Sequence, residues 1–172
     1  MKKSKLITVR ELMFDDLLKI KEWRNQQINI LRQNRKLTDK DQEKYWEKIK
    51  NSKEEKLFAI NNKKGNLIGY GGLVNIDNEN KKAEISFLLD TKIEEGTKKY
   101  SKIFLEFLKY IVDHGFGEMN LTRIFTETYE FRNKHMQILE RAGFKKEGLL
   151  RSNVIKKGRS FDSLIHSIIN KE

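Results

Sequence analysis

Between residues 98 and 116 the apolar side chains Ile103, Phe104, Phe107, Leu108, Ile111 and Val112 recur at three- and four-residue steps. That period predicts a helix of about five turns with one continuous apolar stripe. A stripe this long needs a broad apolar surface to cover it, and strand-like segments stand on both sides of it in the chain. Before it come 56–60, 67–76 and 83–89, separated by the polar turns Asn61-Asn62-Lys63-Lys64-Gly65 and Asn78-Glu79-Asn80-Lys81. These predict an antiparallel meander. After it comes a further strand-like segment, 121–128. The chain is thereby restricted to a sheet with a long helix packed on it.

The remaining segments fill in that plan. Residues 6–10 alternate apolar and polar and read as an edge strand. Leu12, Phe14, Leu17, Leu18, Ile20 and Trp23 predict a helix over roughly 14–25, with Asp15 and Asp16 favourably placed at its N-terminus. Thr38-Asp39-Lys40-Asp41 resembles the start of a capping box, after which Tyr45, Trp46 and Ile49 give a second helix a narrow apolar face. Residues 131–142 predict another helix, ended by Gly143. Segments 149–155 and 161–169, joined across Lys156-Lys157-Gly158-Arg159, predict a closing hairpin. The order strand, two helices, three strands, helix, strand, helix, two strands defines an α+β fold. Its sheet should be mixed, mostly antiparallel, of about seven strands flanked by four helices. With no proline and no linker-like tract, residues 1–172 are expected to form a single domain.

Composition narrows the chemistry. There is no cysteine, which excludes thiolate nucleophiles, disulfides and cysteine-held metals. His114, His135 and His166 are too far apart in sequence to pair as metal ligands, so no metal is expected. The basic start is followed by an apolar stretch that Arg10 and Glu11 interrupt too early for a signal peptide. No run approaches the roughly 18 apolar residues of a membrane span, and a cytoplasmic protein is expected. Lys and Arg number 36 against 25 Asp and Glu, a net charge of +11 that favours anionic partners: nucleic acid, headgroups or phosphorylated small molecules.

Ala83-Glu84-Ile85-Ser86-Phe87-Leu88-Leu89-Asp90 before the long helix, and Glu140-Arg141-Ala142-Gly143-Phe144-Lys145-Lys146-Glu147-Gly148 after the last one, complete the pattern. Together with the element order, they make nearly the whole chain resemble the GNAT acetyltransferases. Asn120-Leu121-Thr122-Arg123-Ile124, Gly148-Leu149-Leu150-Arg151 and Gly158-Arg159-Ser160-Phe161-Asp162 resemble the branch that acetylates ribosomal-protein N-termini. Trp23-Arg24-Asn25, Leu31-Arg32-Gln33 and Ile68-Gly69-Tyr70-Gly71-Gly72-Leu73 resemble relatives that acetylate amino sugars carried on nucleotides.

The resemblance implies a GNAT-like sheet and acetyl transfer from acetyl-CoA to an amine, with the pantetheine chain along Phe87, Leu88 and Leu89. Where two strands splay, unpaired backbone N–H and C=O groups can be satisfied by the amides of that chain. The family's phosphate-gripping Q/R-x-x-G-x-G/A falls on Lys99-Tyr100-Ser101-Lys102-Ile103-Phe104, which has neither glycine. Lys98, Lys99 and Lys102, with Tyr100 and Ser101, are the expected phosphate-end contacts, and the nearest glycine is Gly96. Arg132 stands where an Asn often faces the cofactor, and His135 is expected to line it. Many relatives carry a Tyr four residues before the terminal Gly-Phe pair to protonate the leaving thiolate; Leu139 stands there and donates no proton.

The attacking amine must lose a proton, and a carboxylate can take it directly or through water. Glu84 is the first candidate, because it matches the family's Ala-Glu-Ile and shares a strand face with Ser86. Glu127, within Phe125-Thr126-Glu127-Thr128-Tyr129, is the second. Trp23, Arg24, Asn25 and Gln33 are the substrate-side candidates. The leading expectation is transfer to the primary amine of a small, anionic acceptor, an amino sugar carried on a nucleotide. The alternatives are a protein N-terminal acetyltransferase and a catalytically silent GNAT-like domain that binds CoA or nucleic acid. In the leading reading membrane and nucleic acid are not partners, and a homodimer is the assembly considered.

Overall fold

The computed structural model describes residues 5–170. The chain runs β1 (Ile7–Glu11), α1 (Asp16–Gln26), a 3-10 turn (Ile28–Ile30), α2 (Asp39–Ile49), β2 (Lys56–Asn62), β3 (Leu67–Asp77), β4 (Lys82–Leu89) and α3 (Lys98–Gly117). It continues through β5 (Arg123–Tyr129), α4 (Asn133–Arg141), β6 (Lys145–Lys156) and β7 (Arg159–Ile169). The strands make one seven-stranded sheet in the order β1-β2-β3-β4-β5-β7-β6. β4 and β5 are parallel, because the crossover through α3 brings the chain back in the same direction; the other neighbours are antiparallel. The α+β architecture, the meander β2-β3-β4 and the closing hairpin are those the sequence predicts.

Alternation along the strands gives the sheet two buried faces. One carries Ala83, Ile85, Leu89 and Ile124 against Phe104, Phe107, Leu108 and Ile111 of α3 and Ile138 and Leu139 of α4. A Cβ at Gly71 would stand 2.8 Å from Cζ of Phe107, so the glycine lets that ring lie flat on β3. The other face carries Ala59, Tyr70 and Leu88 against Leu17, Ile20 and Trp23 of α1 and Ile49 of α2. α2 opens with a complete capping box: the Thr38 side chain accepts from the Asp41 N–H while the Asp41 carboxylate accepts from the Thr38 N–H.

Two expectations shift. Phe14 and Leu18 remain 40% and 51% exposed, since α1 meets the sheet only through Leu17, Ile20 and Trp23. β6 begins at Lys145 rather than near residue 149; it is an edge strand with mostly exposed side chains, so no apolar alternation marks its start. Among the described residues no helix is long and apolar enough to cross a membrane.

Candidate active site

β4 and β5 pair over three positions, Lys82 with Arg123, Ala83 with Ile124 and Glu84 with Phe125. Beyond these, β4 follows β3 as far as Leu89 and β5 follows β7 as far as Tyr129, so the sheet opens into a cleft. A Cβ at Gly71 or Gly69 would meet the carbonyl of Ser86 at 2.5 Å or that of Leu88 at 2.6 Å, so those carbonyls point toward β3. Alternation therefore turns the backbone groups of Phe87 and Leu89 toward the cleft. The Leu89 carbonyl accepts from Gln27 Nε2 at 2.8 Å. Phe87 has no strand facing it and offers its N–H and C=O to whatever enters.

The α3 side of the cleft is a stack of rings. Phe87 lies on Phe104 with centroids 4.4 Å apart, and Phe104 lies on His135 at 4.3 Å. His135 Nδ1 stands 2.9 Å from Tyr100 Oη and 3.4 Å from Arg132 Nη2. A guanidinium can only donate, so Nδ1 is the acceptor and the ring is neutral. Burial, then the charge of Arg132, holds this histidine well below its ordinary pKa. Arg132 in turn gives Nε and Nη2 to Glu95 Oε2 at 2.9 and 2.8 Å. Burial also pushes the Tyr100 hydroxyl up.

α3 starts at this end of the cleft. Thr97 Oγ1 accepts from the Tyr100 N–H at 3.2 Å, while the N–H groups of Lys98 and Lys99, in the first turn, have no partner among the described residues. Gly96, at φ 88°, makes the turn that leads into the helix. The Lys98 and Lys99 side chains are exposed and Ser101 is half-buried. Lys102 projects from the other flank of α3 and lines a separate groove against β1, with Leu6 and Lys109.

The opposite wall faces α1 and the segment 27–38. Glu84 and Ser86 on β4, with Glu127 and Tyr129 on β5, line a cavity of about 170 Å³ together with Arg24, Arg32 and Thr126. Glu84 is 6% exposed; it accepts from both terminal nitrogens of Arg32 and from Asn75 Nδ2 at 2.8 Å. Asn75 reaches it from a left-handed backbone position, φ 50°, where the register of β3 and β4 shifts. Arg32 Nη2 also donates to Glu127 at 3.1 Å, and Glu127 receives Asn153 Nδ2 at 2.8 Å. One guanidinium thus bridges both carboxylates, and its bonds to Glu84 raise its own pKa.

The four substrate-side candidates separate. Arg24 lines the cavity. Trp23, one helix step away in phase, is 4% exposed and packs in the α1 core. Asn25 holds the chain around Leu37, donating to its carbonyl at 2.9 Å and accepting from its N–H at 2.7 Å. Gln33 donates to Asn25 Oδ1 at 3.2 Å and accepts from Arg24 Nε at 3.0 Å. Leu139 is fully buried in the α3 core. Tyr129, whose pKa is raised chiefly by burial, lines the cleft beside Ser86 and Thr126. Sequence reasoning missed Arg32, Asn75, Glu95 and Tyr129. Only Tyr129 carried a signal, since it lies two residues beyond Glu127 and so on the same strand face.

The acetyltransferase (GNAT) domain family matches residues 9–165, and the chain belongs to it. The class is that of the GNAT acetyltransferases. Among curated proteins, the chain is similar to the uncharacterized N-acetyltransferase p20 of Bacillus licheniformis, 34% identical over 107 residues that cover 62% of this chain and 57% of p20. The probable N-acetyltransferase YjcK of Bacillus subtilis (strain 168) is 36% identical over 70 residues, 41% of this chain and 39% of YjcK. The chain spans about half the length of these curated relatives. Among solved structures, a spermidine N-acetyltransferase from Vibrio cholerae in complex with CoA and spermine has a TM-score of 0.86 at 22% identity, covering 96% of each chain. A dodecameric structure of the Vibrio cholerae enzyme has a TM-score of 0.80 at 24% identity, covering 96% of this chain and 95% of that one. These likenesses establish the GNAT-like fold. The ribosomal-protein and amino-sugar branches rest on the short sequence motifs alone.

Proposed function

We propose that this chain transfers the acetyl group of acetyl-CoA to the primary amine of a small acceptor. The observation that carries the reading is the cleft itself: β4 and β5 part after three paired positions, with Glu84 at the fork and the unpaired backbone of Phe87 beyond it. Phe87 holds the pantetheine amides through its N–H and C=O, and the first turn of α3, with Lys98 and Lys99, receives the phosphates. Acyl transfer requires a proton to leave the amine and one to reach the departing sulfur. Glu84 takes the first, directly or through water, and the Tyr129 hydroxyl gives the second. An acceptor amine entering between Glu84 and Glu127 takes the place of the Arg32 guanidinium that bridges them, and so meets the Glu84 carboxylate directly.

The net charge of +11 and the Trp23-Arg24-Asn25 resemblance favour an acceptor with an anionic part, such as an amino sugar carried on a nucleotide. A polyamine is the second reading, favoured by two carboxylates meeting in the cleft and by the spermine bound in the Vibrio cholerae structure. Calorimetric titration with acetyl-CoA tests the first step, and CoA release with a uridine-diphosphate amino sugar, spermidine and an N-terminal alanine peptide tests the second. Saturable binding with turnover of the amino sugar is expected. Undetectable acetyl-CoA binding overturns the enzyme reading and leaves the silent-domain alternative.

A further inference from the structure

The cleft's ionic groups do not balance locally. Arg132 is matched by Glu95 at 2.8 Å. Glu84 and Glu127 share the single guanidinium of Arg32, so this trio keeps a surplus negative charge. Arg24 lines the same cavity and has no carboxylate within ion-pair distance among the described residues. Its Nε donates to Gln33 Oε1 at 3.0 Å and its Nη1 to Tyr70 Oη at 2.5 Å, an amide and a phenol oxygen. Its Nη2 donates to nothing in the described chain. On that side of α1, the carboxylate of Glu55 is already engaged by Lys48 at 2.7 Å and by the Tyr45 hydroxyl at 3.3 Å.

A half-buried guanidinium loses part of its hydration, and Arg24 replaces it with an amide and a phenol oxygen rather than with a carboxylate held at ion-pair distance. Here it is also fixed in orientation: Nε is tied to the 27–38 segment and Nη1 to the sheet, and Nη2 is left without an acceptor among the described residues. A cationic donor held in this way suits an oxyanion, which it binds through charge-assisted hydrogen bonds from Nη2.

We infer that Arg24 is the anion anchor of the acceptor site, binding a carboxylate or phosphate borne by the same molecule whose ammonium replaces Arg32 between Glu84 and Glu127. The acceptor class is then small amines that carry an oxyanion. The inference rests on the acetyl-transfer reading for the existence of an acceptor. It adds which group, besides the amine, is recognised and by which residue.

The test uses the whole chain saturated with CoA, so that the phosphate end of the cofactor site is filled. Inorganic phosphate and acetate are titrated separately by calorimetry into the wild type, Arg24→Gln and Arg24→Lys. The expected result is saturable binding of one or both ions by the wild type, weakened about tenfold or more in Arg24→Gln and partly restored in Arg24→Lys. Phosphate binding alone points to a phosphorylated acceptor and acetate binding alone to a carboxylate. CoA affinity should be the same in all three proteins. CoA binding without any ion binding, or ion binding equal in wild type and Arg24→Gln, overturns the inference while leaving acetyl transfer standing. Absence of CoA binding overturns both.

Discussion

The two walls of the cleft are held by different forces. The wall from α3 and α4 is apolar and ring-stacked: Phe87, Phe104 and His135 lie face to face over a core that includes Phe107 and Ile111. The wall from α1 and residues 27–38 is polar, a lattice of hydrogen bonds and ion pairs through Arg24, Asn25, Arg32 and Gln33. Packed rings lose contact with many neighbours at once when one is removed, whereas a polar lattice loses bonds one at a time. The first wall is suited to fixing a donor in place. The second is suited to rearranging when an acceptor arrives.

The largest effect should come where the walls meet. Glu84→Gln keeps the shape of the side chain and removes its basicity, so steady-state turnover should fall by about 10² to 10⁴ while acetyl-CoA affinity holds. Glu127→Gln is the matched control and should lose less; a reversed ranking would move the base to β5. Next, Phe104→Ala should cost about 3–5 kcal/mol in urea unfolding, the range for truncating a buried aromatic ring, since this side chain is 1% exposed. On the other wall, Asn25→Ala should cost only about 1–2 kcal/mol for its lost hydrogen bonds. Its signature should be a raised KM for the acceptor with acetyl-CoA binding unchanged. Equal stability losses for Phe104→Ala and Asn25→Ala would erase the distinction between the walls.

The smallest effect concerns pH. His135 and His166 both have pKa values lowered, first by burial, from the ordinary 6.5. The unfolded chain therefore takes up protons below about pH 6.5 that the folded chain resists, and stability falls as the pH drops through that range. His135→Asn keeps an acceptor near Tyr100 but cannot charge. Melting temperatures between pH 7 and 5 should decline less steeply in this variant, with His166 retaining the remainder of the slope.

Sequence legibility divides along the same line. The α3 wall was readable because helical periodicity marks Ile103, Phe104, Phe107 and Ile111, and strand alternation marks 83–89. Glu84 was readable from its match to the family's Ala-Glu-Ile, with alternation placing it beside Ser86. Its partner Arg32 was not: 52 residues separate them, and the guanidinium arrives from an irregular segment with no period. The Glu95–Arg132 pair spans 37 residues and is hidden in the same way. Asn25 and Gln33 are grouped with Trp23 and Arg24 by the sequence, yet their contacts differ: Trp23, Arg24 and Asn25 point about 100° apart on α1, and Gln33 lies in the irregular segment before α2. Side-chain bonds between distant loops are set by the fold and leave no local pattern in the chain.

A crystal structure of the complex with CoA tests the central claim most directly. The account predicts the pantetheine chain in the opening between 85–89 and 126–129, its amides bonded to the backbone of Phe87, and the pyrophosphate over the N–H groups of Lys98 and Lys99. CoA lying against the β6–β7 hairpin, or in the groove between β1 and α3, would contradict it.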